Sequence, residues 1–298
     1  MNFKLSGSIP ALITPFRNGR LDIPALKKVI RRAVDGGSSG LVSCGSTGEA
    51  ATLSDQEYQR VIRETVREAR GKVPVIAGIG TNSTAKAVRL AREARGLGAD
   101  ALLVLTPYYN KPTQDGLFLH FKAVAHVVRI PIVAYNVPGR TGVNLLPATL
   151  ARIARACGNV VAVKEASGSL DQASEILRLV PEGFTVLSGD DSLTLPMMAL
   201  GAKGVISVLA NICPRETALL CDAHLRGDAA HARKMHLRLF PLMRALFLET
   251  NPIPVKAAAA KLGLCKNELR LPLTPMPPEN AKRLFAELEK LRTSGGRS

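Results

Sequence analysis

The amino-acid sequence predicts an α/β fold, a (β/α)8 TIM barrel with a C-terminal helical appendage. Three observations carry that prediction. Short apolar, β-branched runs recur eight times before residue 209. Segments with helical periodicity separate them. From about Pro214 onward the pattern is wholly helical. Strand–helix alternation repeated eight times marks a closed barrel rather than an open sheet.

The eight predicted strands are Ser8–Thr14, Gly40–Cys44, Val73–Gly78, Ala101–Thr106, Pro131–Asn136, Val160–Lys164, Thr185–Gly189 and Gly204–Val208. Their near-continuous apolar character is that of parallel strands covered on both faces. Asp22 precedes Ile23-Pro24-Ala25-Leu26 and suits an N-cap. Ser54-Asp55-Gln56-Glu57 has the capping-box pattern. Further helices are predicted over Thr84–Arg95, Asp115–Val128, Pro147–Ala156, Leu170–Val180 and Asp191–Leu200. Pro214–Arg226 would be the eighth barrel helix, followed by Asp228–Leu248, Pro252–Leu262 and Pro278–Leu291. The barrel is therefore expected over residues 1–226 and the helical region over residues 227–298, with Thr293–Ser298 as a frayed tail.

Composition narrows the function classes. A chain of 298 residues, 46% hydrophobic, can bury a large core. Aromatics make up 4% and Trp is absent, so that core is aliphatic. Five scattered cysteines without a CxxC pair read as reduced thiols, which points to a cytoplasmic protein. The segment Met1–Pro10 is too short and polar for a signal peptide. No apolar run reaches membrane-span length, so no membrane association is expected. The formal charge of +16 raises the question of nucleic acid. The basic residues, however, alternate with apolar or acidic ones in helical stretches. There is no basic tail and no aromatic interleaving, and a solvated surface accounts for them better than nucleic-acid binding.

The chemistry gathers at one end of the predicted barrel, the C-terminal ends of the strands, where such folds place active sites. Lys164 closes the apolar run Val160-Val161-Ala162-Val163. Desolvation there would lower an ammonium pKa and free the amine as a nucleophile, and an imine with a carbonyl substrate is the usual use. Taken alone, a lysine just past a strand end more often reaches water. Tyr135 sits in another apolar strand, where a phenol beside such a lysine can shuttle protons. Ser46 and Thr47 precede Gly48 in a tight turn whose hydroxyls and amides suit a carboxylate, or merely satisfy the turn itself. Arg140 follows a Pro-Gly turn, and its fork suits a second carboxylate. Glu165, next to Lys164, points to the opposite side of its strand and is assigned no catalysis. The five histidines show no ligand spacing, and Gly78-Ile79-Gly80 lacks a dinucleotide fingerprint, so neither metal nor cofactor is expected. Carbanion stabilisation without either is what an imine supplies.

These residues lie in motifs that resemble the dihydrodipicolinate synthase family, within the wider pyruvate-dependent aldolases. The motifs are Gly45-Ser46-Thr47-Gly48-Glu49, Thr106-Pro107-Tyr108-Tyr109-Asn110, Tyr135-Asn136-Val137-Pro138-Gly139-Arg140-Thr141-Gly142, Lys164-Glu165-Ala166-Ser167-Gly168, Ser188-Gly189-Asp190-Asp191 and Asn251-Pro252-Ile253-Pro254-Val255-Lys256. The resemblance implies condensation of pyruvate with L-aspartate 4-semialdehyde to 4-hydroxy-tetrahydrodipicolinate, on the route to diaminopimelate and lysine. It implies that Lys164 forms the imine and Tyr135 relays protons. Thr47 and Tyr109 would complete a hydroxyl chain, Tyr109 reaching in from a neighbouring subunit of a homotetramer of tight dimers. Arg140 would bind the semialdehyde carboxylate and Ser46 with Thr47 that of pyruvate. Gly189 and Ile206 would line the pocket through backbone groups.

Two departures from the family pattern stand out. Ser46 replaces the usual threonine, keeping the hydroxyl but losing the methyl that fixes its rotamer. Serine is also common here in sialic-acid lyases. Lysine-inhibited bacterial members place a histidine and a glutamate where this chain has Asp55 and Lys86, and a second histidine where it has Tyr58. Weak or absent lysine inhibition is therefore expected. The runner-up activity is another pyruvate aldolase, acting on a sialic acid or a 2-keto-3-deoxy sugar acid, against which Arg140 in its Pro-Gly-Arg-Thr-Gly context argues. A catalytically idle binding barrel is a third reading, opposed by the intact Lys164, Tyr135, Thr47 and Tyr109.

Overall fold

The computed structural model describes residues 5–294, Ser294 by its backbone only. Eight parallel strands form a nearly closed barrel: β1 (Gly7–Pro10), β2 (Leu41–Ser43), β3 (Val75–Gly78), β4 (Ala101–Leu105), β5 (Ile132–Asn136), β6 (Val160–Glu165), β7 (Thr185–Ser188) and β8 (Gly204–Ser207). The sheet runs β1-β8-β7-β6-β5-β4-β3-β2. A single bridge, Ala11 with Val42, joins its two ends. The helices are α1 (Ile23–Asp35), α2 (Asp55–Ala69), α3 (Thr84–Gly96), α4 (Gln114–Val127), α5 (Pro147–Ala156), α6 (Leu170–Leu179), α7 (Thr194–Leu200) and α8 (Pro214–Leu225). Then come α9 (Ala229–Ala245), α10 (Ile253–Lys261) and α11 (Pro278–Ser294).

Local chemistry sets the helix starts. The Asp22 carboxylate accepts from the Ala25 amide at 3.1 Å. Ser54 Oγ accepts from the Glu57 amide at 3.2 Å while Glu57 Oε2 accepts from the Ser54 amide at 3.0 Å, completing the capping box. Two apolar layers follow from strand alternation. Inward side chains, among them Ile9, Val42, Ile76, Leu103, Val133, Ala162, Leu187 and Ile206, fill the barrel. Outward ones, such as Leu41, Leu102, Ile132 and Val163, pack beneath the helices.

Most boundaries shift by one to three residues from expectation, and three of the differences have a visible cause. The first strand ends at Pro10 rather than Thr14: the Ala11 amide still bonds the Ser207 carbonyl of β8, but Leu12 donates across to the Val42 carbonyl and Ile13 to Asn211 Oδ1. The predicted helix from Asp191 opens as a 3-10 turn over Asp191–Leu193. There Asp191 turns inward, its carboxylate accepting from Ser207 Oγ at 2.5 Å and from the Val208 and Leu209 amides at 2.9 Å each. Helix α11 continues to Ser294, so Thr293 and Ser294 are helical and the rest of the expected tail, residues 295–298, lies outside the described residues.

Candidate active site

A cavity of about 340 Å³ opens at the C-terminal ends of the strands. Ser46, Tyr135 and Arg140 contribute to its wall. Ser46 sits in the turn after β2, where the Gly48 amide returns to the Gly45 carbonyl at 3.0 Å. Tyr135 lies in β5 directly opposite Lys164 of β6, both side chains facing the barrel interior. The Lys164 Nζ stands 4.2 Å from the Tyr135 ring centroid, and Lys164 is only 5% exposed. The lysine is thus buried against a ring that forms part of the cavity wall, without lining the cavity itself.

Gly189, just past β7, explains how that lysine finds room. A Cβ placed there would come within 3.0 Å of Lys164 Cε and 3.1 Å of its Cγ. Ile206 is fully buried and pairs in register with Ile9, so its side chain belongs to the barrel interior. Glu165 faces away from Lys164. Its carboxylate accepts from Asn136 Nδ2 at 3.0 Å and from the Ser167 amide at 2.6 Å, tying loops together.

Thr47 and Arg140 meet through a residue to which sequence reasoning gave no role. Asn251 Nδ2 donates to Thr47 Oγ1 at 2.9 Å, and Arg140 Nη2 donates to the Asn251 carbonyl at 3.0 Å. Arg140 rides on a one-turn helix, Pro138–Thr141, whose Gly142 end takes a positive φ of 70°. Lys164, Thr47, Gly189, Ile206 and Tyr109 are not among the residues that line the cavity, and of these Tyr109 alone is exposed to solvent. It is 87% exposed, in a left-handed backbone conformation with φ 72°.

Part of the wall comes from the C-terminal region: Thr250, Asn251, Pro252, Pro272 and Leu273. Two ionic contacts bring these segments in. Lys256 Nζ, fully buried, donates to Glu49 Oε1 at 2.6 Å and to the Thr14 carbonyl at 2.9 Å. Burial pulls the Lys256 ammonium below its usual pKa, and Glu49 opposes that shift. Arg270 grips both Glu57 oxygens, at 2.6 and 2.5 Å, and its amide donates to Glu49 Oε2 at 3.1 Å. The sequence signal for Lys256 was a lysine leading an alanine run in an apolar helix. For Pro272 and Leu273 there was none, since their place depends on a loop closing over the barrel mouth.

Comparison with known proteins shows what the whole chain is similar to. The model of the dihydrodipicolinate synthetase family matches residues 4–291. The 4-hydroxy-tetrahydrodipicolinate synthase of Pelobacter propionicus is 53% identical over 283 residues, which is 95% of this chain and 97% of that protein. The crystal structure of dihydrodipicolinate synthase from Aquifex aeolicus superposes with a TM-score of 0.95 at 52% identity, covering 97% of this chain and 98% of that one. The chloride-inhibited dihydrodipicolinate synthase of Acinetobacter baumannii, complexed with pyruvate, superposes with a TM-score of 0.95 at 41% identity, covering 97% and 99%.

Proposed function

Because the chain belongs to the dihydrodipicolinate synthetase family, we propose that it condenses pyruvate with L-aspartate 4-semialdehyde to give 4-hydroxy-tetrahydrodipicolinate, the first committed step toward diaminopimelate and lysine. The observation that carries this reading is Lys164 buried against the Tyr135 ring, which lines the same cavity as Arg140.

The Lys164 amine attacks the keto carbon of pyruvate, and the carbonyl oxygen leaves as water, giving an imine. Loss of a methyl proton yields the enamine. Its carbon attacks the aldehyde, whose oxygen takes up a proton and becomes the hydroxyl. The substrate amine then attacks the imine carbon, closes the ring and expels Lys164 as the free amine. Tyr135 relays protons at the imine, with Thr47 and Tyr109 as the further hydroxyls. Ser46 and Thr47 hold the pyruvate carboxylate, and the Arg140 fork takes that of the semialdehyde. Gly189 and Ile206 present backbone groups to the pocket.

Exposure of Tyr109 on this chain supports a homotetramer of tight dimers in which it serves a neighbouring site. No helix among the described residues is long and apolar enough to cross a membrane, which fits a cytoplasmic enzyme. A sugar-acid aldolase is the weaker reading, since Arg140 is already oriented at the cavity by the Asn251 carbonyl.

The test is turnover of pyruvate with aspartate semialdehyde, coupled to a reductase that consumes the product, beside Arg140→Ala. Efficient turnover that the variant loses by roughly a hundredfold, mainly through the semialdehyde KM, is expected. Borohydride trapping of pyruvate on Lys164 without turnover would redirect the reading to sugar acids. Absence of trapping would overturn the imine.

A further inference from the structure

We propose that Asn251 is a positioning residue that sets the direction in which the Thr47 hydroxyl passes its proton, while its backbone carbonyl holds Arg140. The proposal rests on the functional reading above, in which Thr47 belongs to the proton relay.

Three observations converge on Asn251. Its side-chain Nδ2 donates to Thr47 Oγ1 at 2.9 Å. Its carbonyl accepts from Arg140 Nη2 at 3.0 Å. Its own Oδ1 is buried without a hydrogen-bond partner among the described residues. The last point orients the amide. Turning the group over would give Thr47 an acceptor but strand a buried NH2, and an unpaired carbonyl oxygen is the better tolerated of the two.

The consequence lies in the hydroxyl. A threonine hydroxyl has one proton. Since Thr47 Oγ1 accepts from Asn251, its proton must point away from Asn251. It is therefore free to donate to a reacting group. A residue 204 positions distant in sequence thus fixes the polarity of one link in the relay. The same residue fixes the guanidinium proposed to receive the second substrate. Proton relay and aldehyde subsite are registered to each other by a single side chain and its own carbonyl.

The near-isosteric Asn251→Asp variant reverses the polarity. An ionised carboxylate only accepts, so it would draw the Thr47 proton toward itself and out of the relay. A protonated carboxyl can donate again and restore the original direction. The charged and titratable groups around Asn251 are Cys44, Tyr108, Tyr135 and Arg140 on the cavity wall, Glu49 paired with Lys256, Arg270 paired with Glu57, and Glu249, which accepts from Asn280 Nδ2.

The experiment measures the rate of imine formation with pyruvate alone in the wild type, Asn251→Ala and Asn251→Asp, by borohydride trapping across pH. Thermal midpoints and KM for pyruvate are recorded in parallel. In Asn251→Asp, imine formation should slow by roughly tenfold or more at neutral pH, without a matching rise in KM. The deficit should shrink as the pH falls toward the carboxylate range. Asn251→Ala should slow the step by less and show no such recovery. A wild-type rate in Asn251→Asp, or a deficit independent of pH, would overturn the proposal. Failure of the wild type itself to form the imine would instead overturn the functional reading.

Discussion

Glu49 and Lys256 are 207 positions apart in sequence, yet they meet at 2.6 Å with both side chains closed to solvent. Glu49 stands in the turn after β2 and Lys256 in α10, so the pair fastens the C-terminal region to the barrel mouth. Breaking one half strands the other. Lys256→Met leaves a buried carboxylate without its cation and should cost about 3–5 kcal/mol. The double variant with Glu49→Gln should recover part of that loss. Denaturant unfolding of the three proteins checks both statements, and equal stability of the single variant and the wild type would refute them.

Gly189 is required by space rather than by backbone conformation. An added Cβ would sit 2.6 Å from Ala166 Cβ and 3.0 Å from Lys164 Cε. Ala166 must shift and the lysine must give by a few tenths of an ångström, and overpacking of this size costs roughly 1–3 kcal/mol. Gly189→Ala should therefore slow borohydride trapping of pyruvate far more than it lowers the thermal midpoint. A variant that traps pyruvate at the wild-type rate would show that Lys164 has room to spare.

Burial pushes the His120 pKa down from 6.5 to about 4. The unfolded chain therefore binds more protons than the folded one between those values. The associated stability is fully present above pH 6.5, is lost as the pH falls, and is gone below about pH 4. The difference amounts to about 3 kcal/mol over the whole window. His120→Gln removes the titrating ring, so the unfolding free energy should change less steeply between pH 6.5 and 4. Chemical denaturation at several pH values measures the slope, which an inert His120 would leave unaltered.

Lysine should inhibit this enzyme weakly or not at all. The Asp55 carboxylate already bonds Arg89 Nη1 at 3.1 Å, and Tyr58 is buried with its hydroxyl donating to the Gly78 carbonyl at 3.1 Å. Lys86 is exposed and would repel a ligand ammonium. Turnover in the presence of millimolar lysine should match turnover without it. Half-inhibition at micromolar concentration would contradict this.

Much of the molecule is written in local patterns. Alternating apolar runs and helical periodicity identify the eight βα units. The capping box at Ser54 and the cap at Asp22 are readable because each bond spans three residues. Lys164 and Tyr135 are legible for a similar reason: each is a polar residue in an apolar strand, and the barrel rule places both at the same end.

The tertiary structure alone decided the rest. Asn251 becomes a neighbour of Thr47 and Arg140 only after some two hundred residues have wound the barrel. Pro272 and Leu273 reach the cavity wall through a loop anchored by Arg270. Tyr109 is left exposed on its own chain, a position no strand pattern announces. Hydrophobic periodicity reports which face of an element is buried and is silent on which distant element covers it. Contacts between separated loops are set by packing and by single polar bonds, and neither leaves a period in the sequence.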